Sequence, residues 1–305
     1  MERVLITGAS GFVGKYLARH FLEQNRHVTG LGTSAAHPFT GEFDRFEWIS
    51  ADTTKTGAWQ DRVPSADLIV NLAGQNIFRR WSRKYKQAIY DSRVLTTRHL
   101  VSALTPGRRV RFLSTSAVGI YGDAREQLLF EDAAPGSDFL ARVCKDWEAE
   151  ALGAESAGAV VSIMRFGVVL GDGGALSVMS PAFKWFAGGP LGSGRQWFPW
   201  IHIKDLVRAA DFLAQKPDAR GRFNLVGPEP VRQRDFARAL GKALHRPALV
   251  PAPGFMVKLV MGELGASLLN SQKASSKALQ DLGFSFAFPD VAAALADILG
   301  EPSAR

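Results

Sequence analysis

The chain opens on Val4-Leu5-Ile6-Thr7-Gly8-Ala9-Ser10-Gly11-Phe12-Val13-Gly14, an apolar run that stops at Thr7 and meets three glycines spaced three apart. The amphipathic segment 15–22 follows at once. Strand, glycine turn and helix in that order leave few folds open. They start a doubly wound α/β sheet, with backbone N–H groups and a positive helix end placed where a pyrophosphate can sit. Three glycines alone are weak evidence, and the strand before and helix after supply the context the motif needs. The bland alternative is a glycine-rich turn with no ligand.

The 305 residues suffice for one large α/β domain with an appended lobe, or for two domains sharing an interface. The longest apolar stretch, Ala159 to Leu170, is interrupted by Ser162 and Arg165 and is too short to span a bilayer. The N-terminus enters a strand with no signal-peptide pattern. A single cysteine, Cys144, excludes an internal disulfide framework and suits a reducing cytoplasm, the expected location. The formal charge is +8, yet the basic residues are dispersed and dense only from Arg79-Arg80 to Lys86. No nucleic-acid module is legible, so the expected partner is an anionic small molecule, with neither nucleic acid nor membrane involved.

Strand candidates are Arg3–Thr7, His27–Gly32, Phe46–Ser50, Leu68–Leu72, Arg111–Ser116 and Val160–Phe166. Helical stretches lie between them, among them Gly14–Gln24, Arg83–Leu104 and Ala141–Gly153. This alternation predicts an α/β fold, a doubly wound parallel Rossmann sheet covered on both faces. After Leu170 glycines break the chain repeatedly, and proline-rich turns join helical segments at Gln233–Leu244, Phe255–Leu269 and Val291–Leu299. The expected division is a dinucleotide-binding domain over 1–170, with 200–216 returning to it. Segments 171–199 and 217–305 would build a smaller C-terminal substrate lobe.

Strand ends carry the chemistry in such a sheet. An acid at the end of the second strand would hydrogen-bond the adenosine ribose hydroxyls of NAD. This chain has Gly32-Thr33-Ser34 there, with His37 nearby and no carboxylate. Thr33 and Ser34 can donate to a 2′-phosphate, which favours NADP over NAD. Asp52 ends the third strand, where it can accept the adenine amino group or, with Thr53 and Thr54 after it, cap a turn. Asn71-Leu72-Ala73-Gly74 ends the fourth, where small residues admit a close backbone approach and Asn71 could equally be a satisfied turn amide.

With Ser114-Thr115-Ser116, Tyr121-Gly122 and Trp200-Ile201-His202-Ile203-Lys204-Asp205-Leu206, these motifs resemble the extended short-chain dehydrogenase/reductases. Arg80-Trp81, Asp91-Ser92-Arg93-Val94, Asp146-Trp147-Glu148, Gly167-Val168-Val169-Leu170 and Gly192-Ser193-Gly194-Arg195-Gln196-Trp197 are similar to an epimerase-like subgroup of largely unassigned activity. So is the tail around Leu268–Gln272 and Gly283-Phe284. The resemblance covers nearly the whole chain. It implies a dinucleotide held by Gly8, Ser10, Gly11, Phe12, Val13, Gly14, Asp52, Thr53 and residues 71–74, with Ser92, Ser114, Gly167 and Val168 close by.

The family's acid/base is a tyrosine whose pKa is lowered by a lysine four residues later, since a phenol near pKa 10 needs a close cation. None of the four tyrosines here has that lysine: Tyr16 is followed by His20, Tyr85 by Ile89, Tyr90 by Val94 and Tyr121 by Arg125. By resemblance the lysine is Lys145, and counting back four gives Ala141. Two readings follow. In the first, Ser116 and Tyr121 serve hydride transfer at a secondary alcohol or carbonyl, as oxidoreductase or epimerase, while Lys145 holds the nicotinamide ribose. In the second, the chain binds NADP without redox chemistry, as a sensor or scaffold.

Trp81, Arg93, Arg195, Trp197 and His202 offer stacking faces and cations for a substrate. Each has a plainer reading: tryptophans packing an interface, a core histidine, buried structural arginines. No histidine pair or thiolate cluster suggests a metal. Arg83–Leu104 could supply one helix of a homodimer by analogy with the fold.

Overall fold

The computed structural model describes residues 2–37 and 39–300. The six expected strands form, as β1 (Arg3–Thr7), β2 (His27–Gly32), β3 (Phe46–Ser50), β4 (Leu68–Asn71), β5 (Arg111–Ala117) and β6 (Val160–Phe166). A seventh, β7 (Gly221–Leu225), pairs in parallel with β6, and the sheet runs β7-β6-β5-β4-β1-β2-β3. All four residues of β4 and nearly all of β6 are buried, as strands covered on both faces require.

One face carries α1 (Phe12–Glu23) and the later helix α5 (Ile203–Gln215). Leu17, Ala18 and Phe21 of α1 pack with Leu206, Ala209 and Leu213 of α5 over Val4, Ile6 and Val70. The other face carries α2 (Arg83–Ser102) and α3 (Phe139–Leu152), where Leu100 and Ala151 join Leu5, Ile69 and Phe112. Each fully buried leucine or phenylalanine contributes about 1.5–3 kcal/mol of transfer free energy, so both layers hold by area.

The expectation that 217–305 lies wholly in the second lobe is corrected by β7. Arg222 and Asn224 alternate with Phe223 and Leu225, so the segment does not read as a continuous apolar strand. Its polar face meets buried polar groups below the sheet. Helix α5, between β6 and β7 in the chain, packs on the main layer, while Trp200 just before it joins the smaller lobe's core. The smaller lobe has its own core of Leu176, Phe183, Trp200, Phe236, Leu240 and Leu295. It comprises α4 (Gly174–Lys184), α6 (Gln233–Ala243), α7 (Gly254–Met261), α8 (Glu263–Leu268) and the helix Val291–Leu299. The single helix expected over Phe255–Leu269 is two, because Gly262 sits at φ +61° between them. Among the described residues no helix is long and apolar enough to cross a membrane.

Asp211 ties α5 to the first βα unit, accepting from His20 (2.9 Å), Gln24 (2.8 Å) and Arg26 (3.2 Å). Burial pushes its carboxyl up, but the His20 and Gln24 hydrogen bonds outweigh it and hold the pKa at about 2. A depressed carboxyl pKa stabilises above its unfolded value of about 3.9 and loses that contribution as pH falls through the folded value. Asp211→Asn is therefore expected to cost about 1–2 kcal/mol near neutrality, with the gap to the parent closing from about pH 4 to pH 2 in urea unfolding. A gap constant across that window would defeat the assignment.

Candidate functional site

The glycine turn is shaped by contacts only glycine allows. Gly8 has φ +67°, and a Cβ there would stand 2.9 Å from the Leu72 carbonyl oxygen. A Cβ on Gly14 would stand 2.2 Å from the Gly8 carbonyl oxygen, so the helix presses directly on the turn. Gly11 is different: it is exposed, and a Cβ would meet only Gly8 O at 3.1 Å, leaving its outer side open. Gly11 also caps α1 with no side-chain hydrogen bond, and the first turn has no acid. The N–H groups there are free to receive an anion.

Two supports of this turn escaped the sequence reading. The ring of Phe12 is enclosed by Gly171, Gly173 and Gly174, whose Cβ atoms would lie 2.6–3.0 Å from it. Phe12 is thus an anchor for the turn, and the glycine run after Leu170 is its socket. His37 is buried: its Nε2 donates to the Ala9 carbonyl (3.1 Å) and its Nδ1 accepts from the Phe39 amide (3.1 Å). Burial lowers its pKa, so it is a neutral prop rather than a phosphate ligand. Thr33 and Ser34 stand exposed at the end of β2, with the Ser34 carbonyl held by Trp48 Nε1.

At the end of β3, Asp52 is exposed and closes a turn on the Thr54 amide (3.1 Å) and hydroxyl (2.6 Å). The Thr54 hydroxyl is the main cause of its lowered pKa. Thr53 points inward to the Thr96 hydroxyl (2.8 Å). Thr7, Asn71 and Ser114 then align in register across β1, β4 and β5. Asn71 is wholly buried, accepting from Thr7 (2.7 Å) and donating to Thr97 (2.7 Å) and Ser114 (3.2 Å). The Thr7 hydroxyl also accepts from the amides of Leu72 and Ala73. Asn71, Thr53 and Ser114 therefore act within the fold, and Gly74 is the exposed residue of this strand end. Ser92 accepts from the Gln75 amide (2.9 Å) and fixes the chain beyond it. Gly167 lets its strand pass Pro199, whose carbonyl oxygen a Cβ would meet at 2.8 Å, and Val168 pairs with Trp200 in the short ladder beyond.

The catalytic candidates fall into a buried network. Ser116, Arg165 and Asn224 lie in register across β5, β6 and β7. Glu148 of α3 accepts from Ser116 (2.7 Å), from Arg165 Nε and Nη2 (both 2.8 Å) and from Arg222 Nε (3.1 Å). Arg165 Nη1 donates to the Tyr121 hydroxyl (2.7 Å), which donates to Asn224 Oδ1 (2.8 Å). Burial raises the Tyr121 pKa against the pull of Arg165. Lys145 lies on the exposed side of α3, and Cys144 is the residue turned inward beside it. Counting back four from that inward place gives Leu140, so no tyrosine stands there by either count. Burial pushes the Cys144 thiol up to about 11.

On the substrate side the candidates scatter. Trp81 rests edge-on against Phe139 at a cavity of about 430 Å³ between α2, α3 and Glu263 of the second lobe. Lys86 closes that cavity with a 2.6 Å ion pair to Glu263. A cleft of about 490 Å³ lined by Arg3, His27 and Phe46 opens at the opposite, amino-terminal edge of the sheet. Arg195 is exposed on a loop directly after Gly192 and Gly194, both at positive φ. Trp197 donates to Glu126 (3.0 Å) and is covered by Arg232 at 3.6 Å. His202 is corrected from a ligand surface to a structural cap: it is buried, accepts from the Lys204 amide (3.0 Å) and stacks on Phe288. Arg93 is half-buried against Gly74 and Trp147.

Comparison with known proteins agrees with this architecture. The description of the NAD dependent epimerase/dehydratase family matches residues 4–226, which span the glycine turn and all seven strands. The chain belongs to that family. A second description, a domain of unknown function (DUF1731), matches 252–298 and covers α7, α8 and the helix Val291–Leu299. The epimerase family protein SDR39U1 homolog of Arabidopsis thaliana is 36% identical over 301 residues, covering 97% of this chain and 86% of its own. YfhF of Bacillus subtilis, another epimerase family protein, is 32% identical and covered to 98% on both sides. The crystal structure of human SDR39U1 (isoform 2) with NADPH superposes with a TM-score of 0.85 at 30% identity, covering 98% of this chain and 99% of that one.

Proposed function

We propose that this epimerase-family protein binds NADPH in preference to NADH and exchanges hydride with a carbonyl or secondary alcohol of a small anionic substrate. The observation that carries it is the open Gly11 cradle beside a carboxylate-free end of β2. The human relative crystallised with NADPH supports the same choice. The residues fit such a cofactor. Gly8, Gly11 and Gly14 with the start of α1 would receive the pyrophosphate, and Thr33 and Ser34 the 2′-phosphate. Asp52, with one oxygen committed to Thr54, would take the adenine.

When bound, the nicotinamide supplies the redox chemistry. The protein's own part is to hold and orient. Ser116 and Tyr121 have their hydroxyls committed to Glu148, Arg165 and Asn224, so they brace the strand ends, and the proton balancing the reduction comes from solvent or substrate. That same commitment favours a second reading, NADPH binding without turnover in a sensor or scaffold. The lone buried thiol accords with a reducing, cytoplasmic setting.

Thermal unfolding at matched nucleotide concentrations tests the proposal. NADPH at a hundred times its Kd adds about 2.7 kcal/mol of stability, and NADH is expected to add less. Ser34→Asp, which puts repulsion where the 2′-phosphate would lie, should weaken NADPH about tenfold or more and spare NADH. No stabilisation by either nucleotide would end the reading. Tight NADPH binding with no oxidation across a panel of carbonyls would leave the second reading standing.

A further inference from the structure

We infer that Arg93 is an anion-binding residue of the candidate site, presenting two guanidinium donors to a phosphate or carboxylate at the exposed edge of Gly74. Its Nη1 donates to the carbonyls of Gln75 (3.1 Å) and Ile89 (3.0 Å), which fixes one edge of the guanidinium. Among the described residues no acceptor lies within hydrogen-bond distance of Nε or Nη2, and these atoms are not sealed from solvent. No carboxylate pairs with Arg93 among the described residues either. The groups nearest its charge are Cys144, Tyr85 and the face of Trp147, the last at 5.4 Å. A partly desolvated guanidinium with no counter-ion is costly, and a bound anion removes that cost.

The place is also right for a ligand. The guanidinium carbon lies 2.9 Å from where a Cβ on Gly74 would stand, so this glycine leaves the cation uncovered. Two residues earlier, Leu72 touches the glycine turn. Lys145 is turned to solvent, whereas Arg93 faces Trp147 where α2 and α3 meet. Arginine suits the role, because a fork locked on one edge aims the other in a fixed direction.

The anion could belong to the dinucleotide or to the substrate, and two titrations of the full chain separate these sources. The first measures NADPH and adenosine 2′,5′-bisphosphate binding to the parent and to Arg93→Gln, which removes the charge. A loss of about tenfold or more for NADPH, with the bisphosphate unaffected, assigns the anion to the cofactor. The second adds sodium phosphate to the NADPH-saturated protein and follows the melting temperature. A phosphate-dependent rise in the parent that Arg93→Gln lacks, with NADPH affinity unchanged, assigns it to the substrate. Arg93→Lys, which keeps the charge, should recover part of either effect and guards against a variant that merely misfolds. If both variants match the parent in both titrations, Arg93 is only a brace for Gln75 and the inference fails. This rests on the NADPH reading only for the first titration; a parent that binds no nucleotide would sink that reading, while phosphate added to the free protein would still test Arg93.

Discussion

Arg165→Met is expected to destabilise the protein by about 3–5 kcal/mol. Arg165 and Glu148 are each 4% exposed and meet through two 2.8 Å hydrogen bonds. Burial works against the charge on Arg165, and Glu148 outweighs it, holding its pKa above the ordinary arginine value. Removing the guanidinium leaves a buried carboxylate with only Ser116 and Arg222, and leaves the Tyr121 hydroxyl and the Glu131 carbonyl without their donor. Because the network joins β5, β6, β7 and α3, the loss should appear as a cooperative fall in the denaturation midpoint with an unchanged slope. Replacing both partners, as in Glu148→Leu with Arg165→Met, should be less damaging than the single change, since no orphaned charge remains. A single-variant cost below about 1 kcal/mol would mean the pair is solvated and the network is incidental.

The second large effect separates two glycines that look alike in the motif. Gly14→Ala forces a methyl to 2.2 Å from the Gly8 carbonyl oxygen and 2.7 Å from Ala9 Cα, both backbone, so the turn must move away from the helix. It should lower stability by about 1–3 kcal/mol and abolish stabilisation by NADPH. Gly11→Ala meets one atom at 3.1 Å with φ at −72°, a conformation alanine adopts freely. It should fold with a change below about 1 kcal/mol, yet lose NADPH affinity because the methyl fills the open side of the cradle. Isothermal titration and urea unfolding of both variants decide the matter. Equal binding by Gly11→Ala and the parent would show that the cradle takes no phosphate.

The expectations that held and those that failed divide along a physical line. β1, β4 and β6 were legible because strands covered on both faces must be continuous apolar runs. β7 was not, because its alternate residues Arg222 and Asn224 face Glu148 and Tyr121, which are 74 and 103 residues away in the chain. The orientation of α3 was not legible for a related reason: a motif gives spacing along a helix but not which side faces in, and one residue turns a helix by about 100°. Packing of α3 on β5 puts Cys144 inside and Lys145 outside. The packing of the His37 and Phe12 rings was not legible, because whether a ring meets ligand or backbone depends on contacts such as the Gly171–Gly174 socket.

What the chain alone determined, then, is the local grammar: a strand, three glycines and a helix at the start, the alternation that follows, and the lack of an acid after β2. Those are short-range consequences of backbone sterics and apolar periodicity, and they fix where a dinucleotide would lie. The tertiary structure decided which polar groups remain available to a ligand. Ser116, Tyr121 and Asn71 are committed to partners 26 to 103 residues distant, while Arg93 keeps one edge uncommitted. Hydrogen-bond capacity is a property of what the fold brings together, and no spacing along the chain records it.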